Sequence, residues 1–387
     1  MQCQKHLFNL PSDLTYLNCA RRGPQSKKLE ALGLAAISNQ CNPNYYSNED
    51  FFGYPQQIKL AFADLVQAAD SDSIAIIPST SYGLANVANN LNLKKGEKII
   101  IVGEQFPSNV YPWMEAVKKV GATLEIVSPP SLLNRGQNWN EAVLAAIDDQ
   151  TKMVAVGNVH WTDGTLFDLK AIRTKTNQHD ALLVIDGTQS IGALPFSVKE
   201  IQPDALIVSS YKWMLGPYSL GVAYYGPAFD KGEPIEKNWI NRLNSNDFTN
   251  LVNYQPLYRP KANRYSMGEQ SNFILSPLLL EAIRQLKDWG VENIQQYCRT
   301  ITEPAVAEWR DMGLNIEADN WRSHHLFGIR LTDQFDGDVL KKELTKANIS
   351  VSFRGDAMRV SPNIYNEESE VMKLVDCFKK AKKRIAI

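Results

Sequence analysis

Lys212 stands in the segment Val208-Ser209-Ser210-Tyr211-Lys212-Trp213-Met214-Leu215-Gly216-Pro217, directly after the apolar run from Asp204 to Val208. A lysine just past a buried strand, flanked by Ser and Tyr hydroxyls and then Gly-Pro, is placed unlike an ordinary surface lysine. Asp186 lies 26 residues upstream, at the end of a second apolar run, Ala181-Leu182-Leu183-Val184-Ile185. An amine and a carboxylate at the ends of two buried strands suit pyridoxal 5'-phosphate: the amine forms a Schiff base and the acid keeps the pyridine nitrogen protonated.

Two further segments could hold the same ligand. Asp186-Gly187-Thr188-Gln189-Ser190-Ile191-Gly192 follows its strand directly, and ligands of open α/β sheets sit beyond the carboxyl ends of the strands. Taken alone, Asp186 suits a turn or a helix N-cap equally well; the partner lysine favours function. Ile77-Pro78-Ser79-Thr80-Ser81-Tyr82-Gly83 also follows a strand and opens a helix. Hydroxyls and free backbone N–H groups at a helix N-terminus make an anion site, although a plain serine N-cap leaves the same trace. The chain has neither a Walker A loop nor a GxGxxG run, which counts against a dinucleotide binder.

The elements that must position these residues alternate. Strands are expected at Ser73–Ile77, Lys98–Val102, Thr123–Val127, Lys152–Val156, Ala181–Ile185, Ala205–Val208 and Leu220–Tyr225. Helical patterns lie between several of them, at Ser81–Leu91, Asn109–Val120, Asn140–Ile147 and Leu169–Gln178. Such alternation predicts an α/β fold with a seven-stranded, mostly parallel sheet. The last two strands leave no room for a full helix between them, so one antiparallel strand is expected. The polar stretch 226–270 has little periodicity and reads as a long functional connection. Helices follow at Pro277–Trp289 and Val291–Arg310, then strand His325–Leu331, helix Asp338–Ala347, strands Ile349–Phe353 and Ala357–Val360, and helix Glu367–Arg384. The expected division is a large domain over 16–250, a connecting segment over 251–275, and a smaller α+β C-terminal domain over 276–387 joined by residues 1–15.

Composition narrows the class of protein. The chain has 387 residues, 44% of them hydrophobic, enough for a sizeable core. Its net charge of −1 suggests no nucleic-acid or membrane-surface partner. No apolar stretch is long enough to span a bilayer, and the first residues lack the apolar core of a signal peptide. Cys3, Cys19, Cys41, Cys298 and Cys377 are scattered and odd in number, as expected in a reducing cytoplasm. They and the histidines show no ligand spacing, so no metal is expected.

The ordered combination of Asp186-Gly187-Thr188-Gln189-Ser190, Ser209-Ser210-Tyr211-Lys212 and Met358-Arg359-Val360-Ser361-Pro362-Asn363-Ile364-Tyr365-Asn366 resembles the class V group of fold-type I pyridoxal-phosphate enzymes. The group includes aminotransferases, cysteine desulfurases, kynureninases and epimerases of the isopenicillin N type. The likeness runs from Tyr16-Leu17-Asn18 to Arg359-Val360-Ser361-Pro362. It implies that Lys212 is the Schiff-base lysine, that Asp186 pairs with the pyridine nitrogen, and that Gln189 bonds the phenolic oxygen. Ser209 and Tyr211 would bind phosphate together with Ser79, Thr80 and Ser81. Phe106 would stack on the ring, and His160 would lie beside the phenolic oxygen, with a satisfied core histidine as the rival reading. Arg359 would grip the substrate carboxylate bidentately. The loop 263–269 falls where relatives reach a neighbouring subunit's phosphate, through Ser266 or the Gly268 N–H, which implies a homodimer. Desulfurases of the group carry a loop cysteine shortly before the arginine; Asn348–Arg359 has none. The resemblance therefore implies action on an amino acid, transamination first, with lyase or epimerase action as the alternative and a silent cofactor-binding protein as the non-enzymatic rival.

Overall fold

The computed structural model describes residues 1–132 and 134–383. A short strand, β1 (Thr15–Tyr16), precedes helices α1 (Lys27–Gln40) and α2 (Asp50–Leu65). Seven strands then form one sheet: β2 (Ile74–Ile77), β3 (Lys98–Val102), β4 (Thr123–Val127), β5 (Thr151–Gly157), β6 (Leu182–Asp186), β7 (Ala205–Ser209) and β8 (Gly221–Tyr225). Helices α3 (Thr80–Asn90), α4 (Tyr111–Val120), α5 (Arg135–Ala146), α6 (Leu169–Gln178) and the single turn α7 (Val198–Ile201) join them. The strand order is β2-β8-β7-β6-β5-β3-β4.

Burial follows position in that order. Every residue of β2, β3 and β7 is buried, as expected of strands covered on both faces. At the edge strand β4 only Val127 is buried, and Glu125 there pairs with Lys98 at 2.7 Å. The expected antiparallel strand is β8, which runs against both β7 and β2. That reversal leaves β2 parallel to β7. The C-terminal ends of β2, β5, β6 and β7 therefore share one edge of the sheet, with Ile77 and Ser209 both registered on Gly221.

A second core follows. Helices α8 (Leu275–Trp289) and α9 (Val291–Asp311) lead to β9 (Phe327–Arg330), α10 (Gly337–Lys346), β10 (Ile349–Ser350), β11 (Ser352–Arg354), β12 (Ala357–Val360) and α11 (Glu368–Ala381). The smaller antiparallel sheet has the order β11-β12-β9, packed by Trp309, Phe327, Leu374 and Phe378. The expected strand Ile349–Phe353 is two strands: β10 pairs in parallel with β1, whereas β11 pairs with β12. The expected end of the last helix at Arg384 lies outside the described residues. Leu17 packs into this second core, so the N-terminal segment is tied to it.

The loop after β5 is one of the places where the two cores meet. Gly164 has φ +76°, and a Cβ there would stand 2.0 Å from the Leu326 carbonyl oxygen, so no side chain fits. Asp163 is buried beside it. Its carboxylate accepts from Arg330 Nη2 at 2.7 Å, from Arg135 Nε at 3.3 Å and from the Thr165 hydroxyl at 2.8 Å. Burial alone would raise its pKa, but His160 and Arg330 outweigh it and hold the carboxyl well below the usual range. Replacing Asp163 by Asn leaves two buried guanidiniums short of their shared anion. Arg330 keeps Asp356 and Arg135 keeps Glu104, so the loss falls at the low end for a broken buried pair, about 3 kcal/mol. Urea unfolding of Asp163→Asn measures it; a loss under ~1 kcal/mol would make the ion pair peripheral to stability.

Candidate active site

At the shared C-terminal edge of β2, β5, β6 and β7 lies a cavity of about 360 Å³. Lys212 lines it and is only 6% exposed. The backbone around it is clamped from two sides. A Cβ on Gly23 would stand 2.2 Å from the Lys212 carbonyl oxygen, and one on Gly192, at φ +102°, 2.4 Å from that of Trp213. Gly23 N–H also donates to the Tyr211 carbonyl at 2.9 Å. These approaches fix the turn that aims the lysine. Its Nζ lies 5.3 Å from the Phe106 ring centroid and 5.6 Å from that of Tyr211. Burial pulls its pKa down to about 8; Asp186 opposes the shift, and Arg359 and Arg354 add to it.

Asp186, at the end of β6, also lines the cavity. Its Oδ1 accepts from Thr188 N–H at 3.0 Å. Among the described residues no cation lies within 4 Å of it, and burial raises its pKa. Lys212 acts on it only at a distance, so a carboxylate in this position lacks a direct ion pair, and a protonated heterocyclic nitrogen would supply one.

Hydroxyls crowd the end of β2. Ser79 caps α3, its Oγ accepting from Tyr82 N–H, and touches Ser81 Oγ at 3.0 Å. Thr80 Oγ1 lies 2.6 Å from Ser209 Oγ and 3.2 Å from Thr188 Oγ1. With the α3 N-terminus these groups suit an anion. An amine, an uncompensated carboxylate and a hydroxyl-lined helix N-terminus in one cavity fit the donor set that pyridoxal phosphate needs.

Lys212, Asp186, Ser79, Thr80, Ser81, Phe106, Gln189, Ser209 and Tyr211 all line this cavity. Gln189 is oriented by its neighbours: its carbonyl oxygen accepts from Trp213 Nε1 at 2.9 Å, and its amide donates to the Ala20 carbonyl at 3.2 Å. Thr188, Trp161 and the Tyr218–Leu220 turn line it as well. Thr188 lies inside the Asp186–Ser190 run, where its type alone marks no site, and Trp161 is one of the ring residues that the sequence offers for the substrate side.

Four expected residues lie elsewhere. His160 is buried away from the cavity. Its Nε2–H donates to the Gly103 carbonyl at 3.2 Å, Nδ1 meets Thr162 Oγ1 at 2.7 Å, and the ring packs on Trp139. It is a satisfied core histidine, and the next residue, Trp161, points to the cavity instead. Arg359 is 1% exposed, behind Trp161, whose carbonyl takes its Nη1 at 2.8 Å. Burial first, then the Arg354 charge, lower its pKa to about 10. Its Nε is buried with no partner. Ser266 is buried, its hydroxyl accepting from Ile76 N–H at 3.1 Å. Gly268 N–H donates to the Glu236 carboxylate at 2.9 Å, an acid that would repel a phosphate. Neither residue lines this cavity.

Comparison with known proteins gives a consistent picture. Residues 47–374 match the family described as Aminotransferase class-V. An uncharacterized aminotransferase of Bacillus subtilis is 26% identical over 316 residues, covering 81% of this chain and 80% of that protein. One of Schizosaccharomyces pombe is 24% identical over 326 residues, covering 82% and 79%. Among solved structures, the cystine C–S lyase C-DES with its product cysteine persulfide superposes with a TM-score of 0.84 at 17% identity, over 96% of this chain and 99% of that one. The cysteine desulfurase CsdA of Escherichia coli gives 0.80 at 16% identity, over 97% of each. With the fold and the family match in agreement, the chain belongs to the class-V aminotransferase family, enzymes that use pyridoxal 5'-phosphate on amino acids.

Proposed function

We propose that this enzyme transaminates an α-amino acid, with Lys212 as the residue that binds the cofactor and carries the proton. The observation behind this is the Lys212 amine, buried and clamped in the same cavity as the uncompensated Asp186. When bound, the cofactor supplies an electron sink for the bond broken at the α-carbon. Asp186 keeps the pyridine nitrogen protonated. Ser79, Thr80, Ser81, Ser209 and Tyr211 would hold the phosphate with the α3 N-terminus, Phe106 would bind against the ring, and Gln189 would offer an amide donor to the phenolic oxygen. Arg359, buried behind Trp161 with an unpartnered Nε, would receive the substrate carboxylate once Trp161 gives way. Lys212, with its pKa drawn down to about 8, takes the α-proton through Nζ and returns it.

β-Elimination is the second reading, favoured by the fold likeness to the cystine C–S lyase. A persulfide relay has less support, because among the described residues no cysteine lines the cavity and the β11–β12 connection is only the Gly355-Asp356 turn.

Further proposals concern organisation. The proposed division is 16–250, 251–275 and 276–387, with 1–15 joining the last; the second core, formed from Ile301 onward, supports it, while α8 and the start of α9 pack on the first core and Leu17 on the second. A cytoplasmic location is supported by the free cysteines, and among the described residues no helix is long and apolar enough to cross a membrane. A homodimer is supported by the segment before Ser266, where Tyr254 is 95% and Val252 77% exposed. The Ser266–Gly268 loop would then act across that interface.

Four measurements test these readings. Lys212→Ala should abolish the cofactor's visible band and lower turnover at least ~10³-fold; retention of both overturns the assignment. Asp186→Ala should fold and lose about 10²–10³ in kcat. Amino-acid panels separate the reactions: conversion to a pyridoxamine spectrum supports transamination, and released pyruvate with unchanged cofactor supports elimination. Sedimentation should give twice the chain mass. Without cofactor, the lowered pKa of Lys212 costs stability. Below pH 8 the amine is charged in both states and pays its full burial penalty; between pH 8 and 10.5 the folded state releases its proton first and stability recovers. Lys212→Met should therefore stabilise the apoprotein by on the order of 2–3 kcal/mol at pH 7, with the gain vanishing above the unfolded-state pKa.

A further inference from the structure

The hairpin that carries Arg359 carries a second arginine on the same face. Ser352 of β11 is registered opposite Arg359 of β12, and Arg354 opposite Ala357. Opposed residues share a face and positions two apart on a strand share it too, so Arg354 and Arg359 are diagonal neighbours, within reach of long side chains. The opposite face carries Met358, which packs into the second core.

Trp161 connects both arginines to the cavity. Its carbonyl takes Arg359 Nη1 at 2.8 Å. The Arg354 guanidinium lies 5.6 Å from its ring centroid. Its indole N–H donates to the Glu104 carbonyl at 2.6 Å and its ring meets Phe106 edge-on at 5.3 Å, so the ring is held at the cavity wall. Among the described residues neither arginine has a carboxylate within 4 Å. Asp356, on the hairpin turn, is engaged by Arg330 at 3.1 Å. Glu104, the other acid at this wall, pairs with Arg135 at 3.7 Å. Arg359 keeps a buried Nε with no partner. Arg354 uses Nη1 on the Phe353 carbonyl at 2.7 Å. A guanidinium near an aromatic ring still offers its remaining edge donors to an anion. Arg21, Arg22 and Arg359 also all act on the Tyr16 hydroxyl, so the surroundings add positive charge.

Holding two unpaired guanidiniums side by side is unfavourable unless anions arrive to satisfy them. We infer that Arg354 forms a second anion subsite beside Arg359, so that the substrate is an amino acid with a second carboxylate on its side chain. This rests on the reading that Arg359 receives the α-carboxylate. Arg354 is the specificity-determining residue. It touches the distal group and has no part in proton transfer or cofactor binding.

Calorimetry on the holoenzyme tests the subsite independently of turnover, with glutarate against pentanoate. The dicarboxylate should bind about 10- to 100-fold tighter. Arg354→Met should abolish that preference while leaving pentanoate binding and the cofactor's visible band unchanged, and Arg354→Lys should restore part of it. Steady-state kcat/KM for glutamate against glutamine, and aspartate against asparagine, should show the same contrast. Equal binding of the two acids by the wild type, or equal weakening of both by Arg354→Met, overturns the proposal. A glutarate preference lost in Arg354→Met, with no amino acid turned over, upholds the subsite and overturns transamination. Turnover without preference for acidic amino acids upholds transamination and overturns the subsite.

Discussion

The constraint on which this architecture depends is a lysine and an aspartate held out of water in one cavity without a salt bridge between them. Each is displaced from its ordinary pKa by burial before any other cause. Ionised groups lose several kcal/mol on such transfer unless they are paired closely. Left to relax, the chain would swing the lysine toward solvent or onto the acid. The backbone at 211–213 is closely approached by Gly23 and Gly192, where a Cβ would stand 2.2 and 2.4 Å from the carbonyl oxygens of Lys212 and Trp213, so the turn that starts the side chain is fixed. The stability for this arrangement comes from elsewhere, from strands β2, β3 and β7, buried along their whole length. A rigid sheet keeps two unfavourable charges apart, and a ligand that satisfies both gains what the apoprotein lacks.

The topology decides which residues can meet. Had β8 run parallel to its neighbours, β2 would have entered the sheet in another way and Ser79 would not necessarily have faced Lys212. With β8 reversed, the hydroxyls after β2 stand beside Ser209 across a single strand. The 2.6 Å contact between Thr80 and Ser209 follows from that register.

Much of this was legible in the sequence, and the exceptions have physical causes. Strand β3 was readable from its apolar run 99–102, and the edge strand β4 from its bounds at Thr123 and Val127. Ile349–Phe353 reads as one run, yet its two halves pair with different partners, a tertiary fact that no local pattern contains. Helices α1 and α2 were not anticipated: α1 buries only Leu29 and Ala36, and α2 contains Pro55. In the site, residues within contiguous runs after strands were readable, since the strand end dictates their place. His160 was readable only as a type. Its loop turns so that Trp161 faces the cavity, and a one-residue difference there reverses inside and outside. The burial of Arg359 behind Trp161 was invisible too, because it depends on how the second core meets the first.

That meeting also sets how Lys212 and Arg359 stand relative to one another. Lys212 belongs to the large sheet and Arg359 to the small one, so their separation is set by whatever joins the two. One joint lies in the few residues after β5; His325 against Gln189 and Trp213, and Cys19-Ala20 against Ser361, make others. Trp161 contacts Arg359 through its carbonyl, and Asp163 holds Arg330 through its carboxylate. Gly164 lets the Leu326 carbonyl approach where no side chain could stand. One loop thus presents an aromatic wall to the cavity, a carbonyl to the buried arginine and a carboxylate to the neighbouring strand. An adjustment of the second core relative to the first would strain these contacts, and it would move Arg359 against Lys212. Precision at a site assembled from two cores requires such a short, satisfied connection, because errors in longer routes accumulate and catalytic groups tolerate displacements well below ~1 Å.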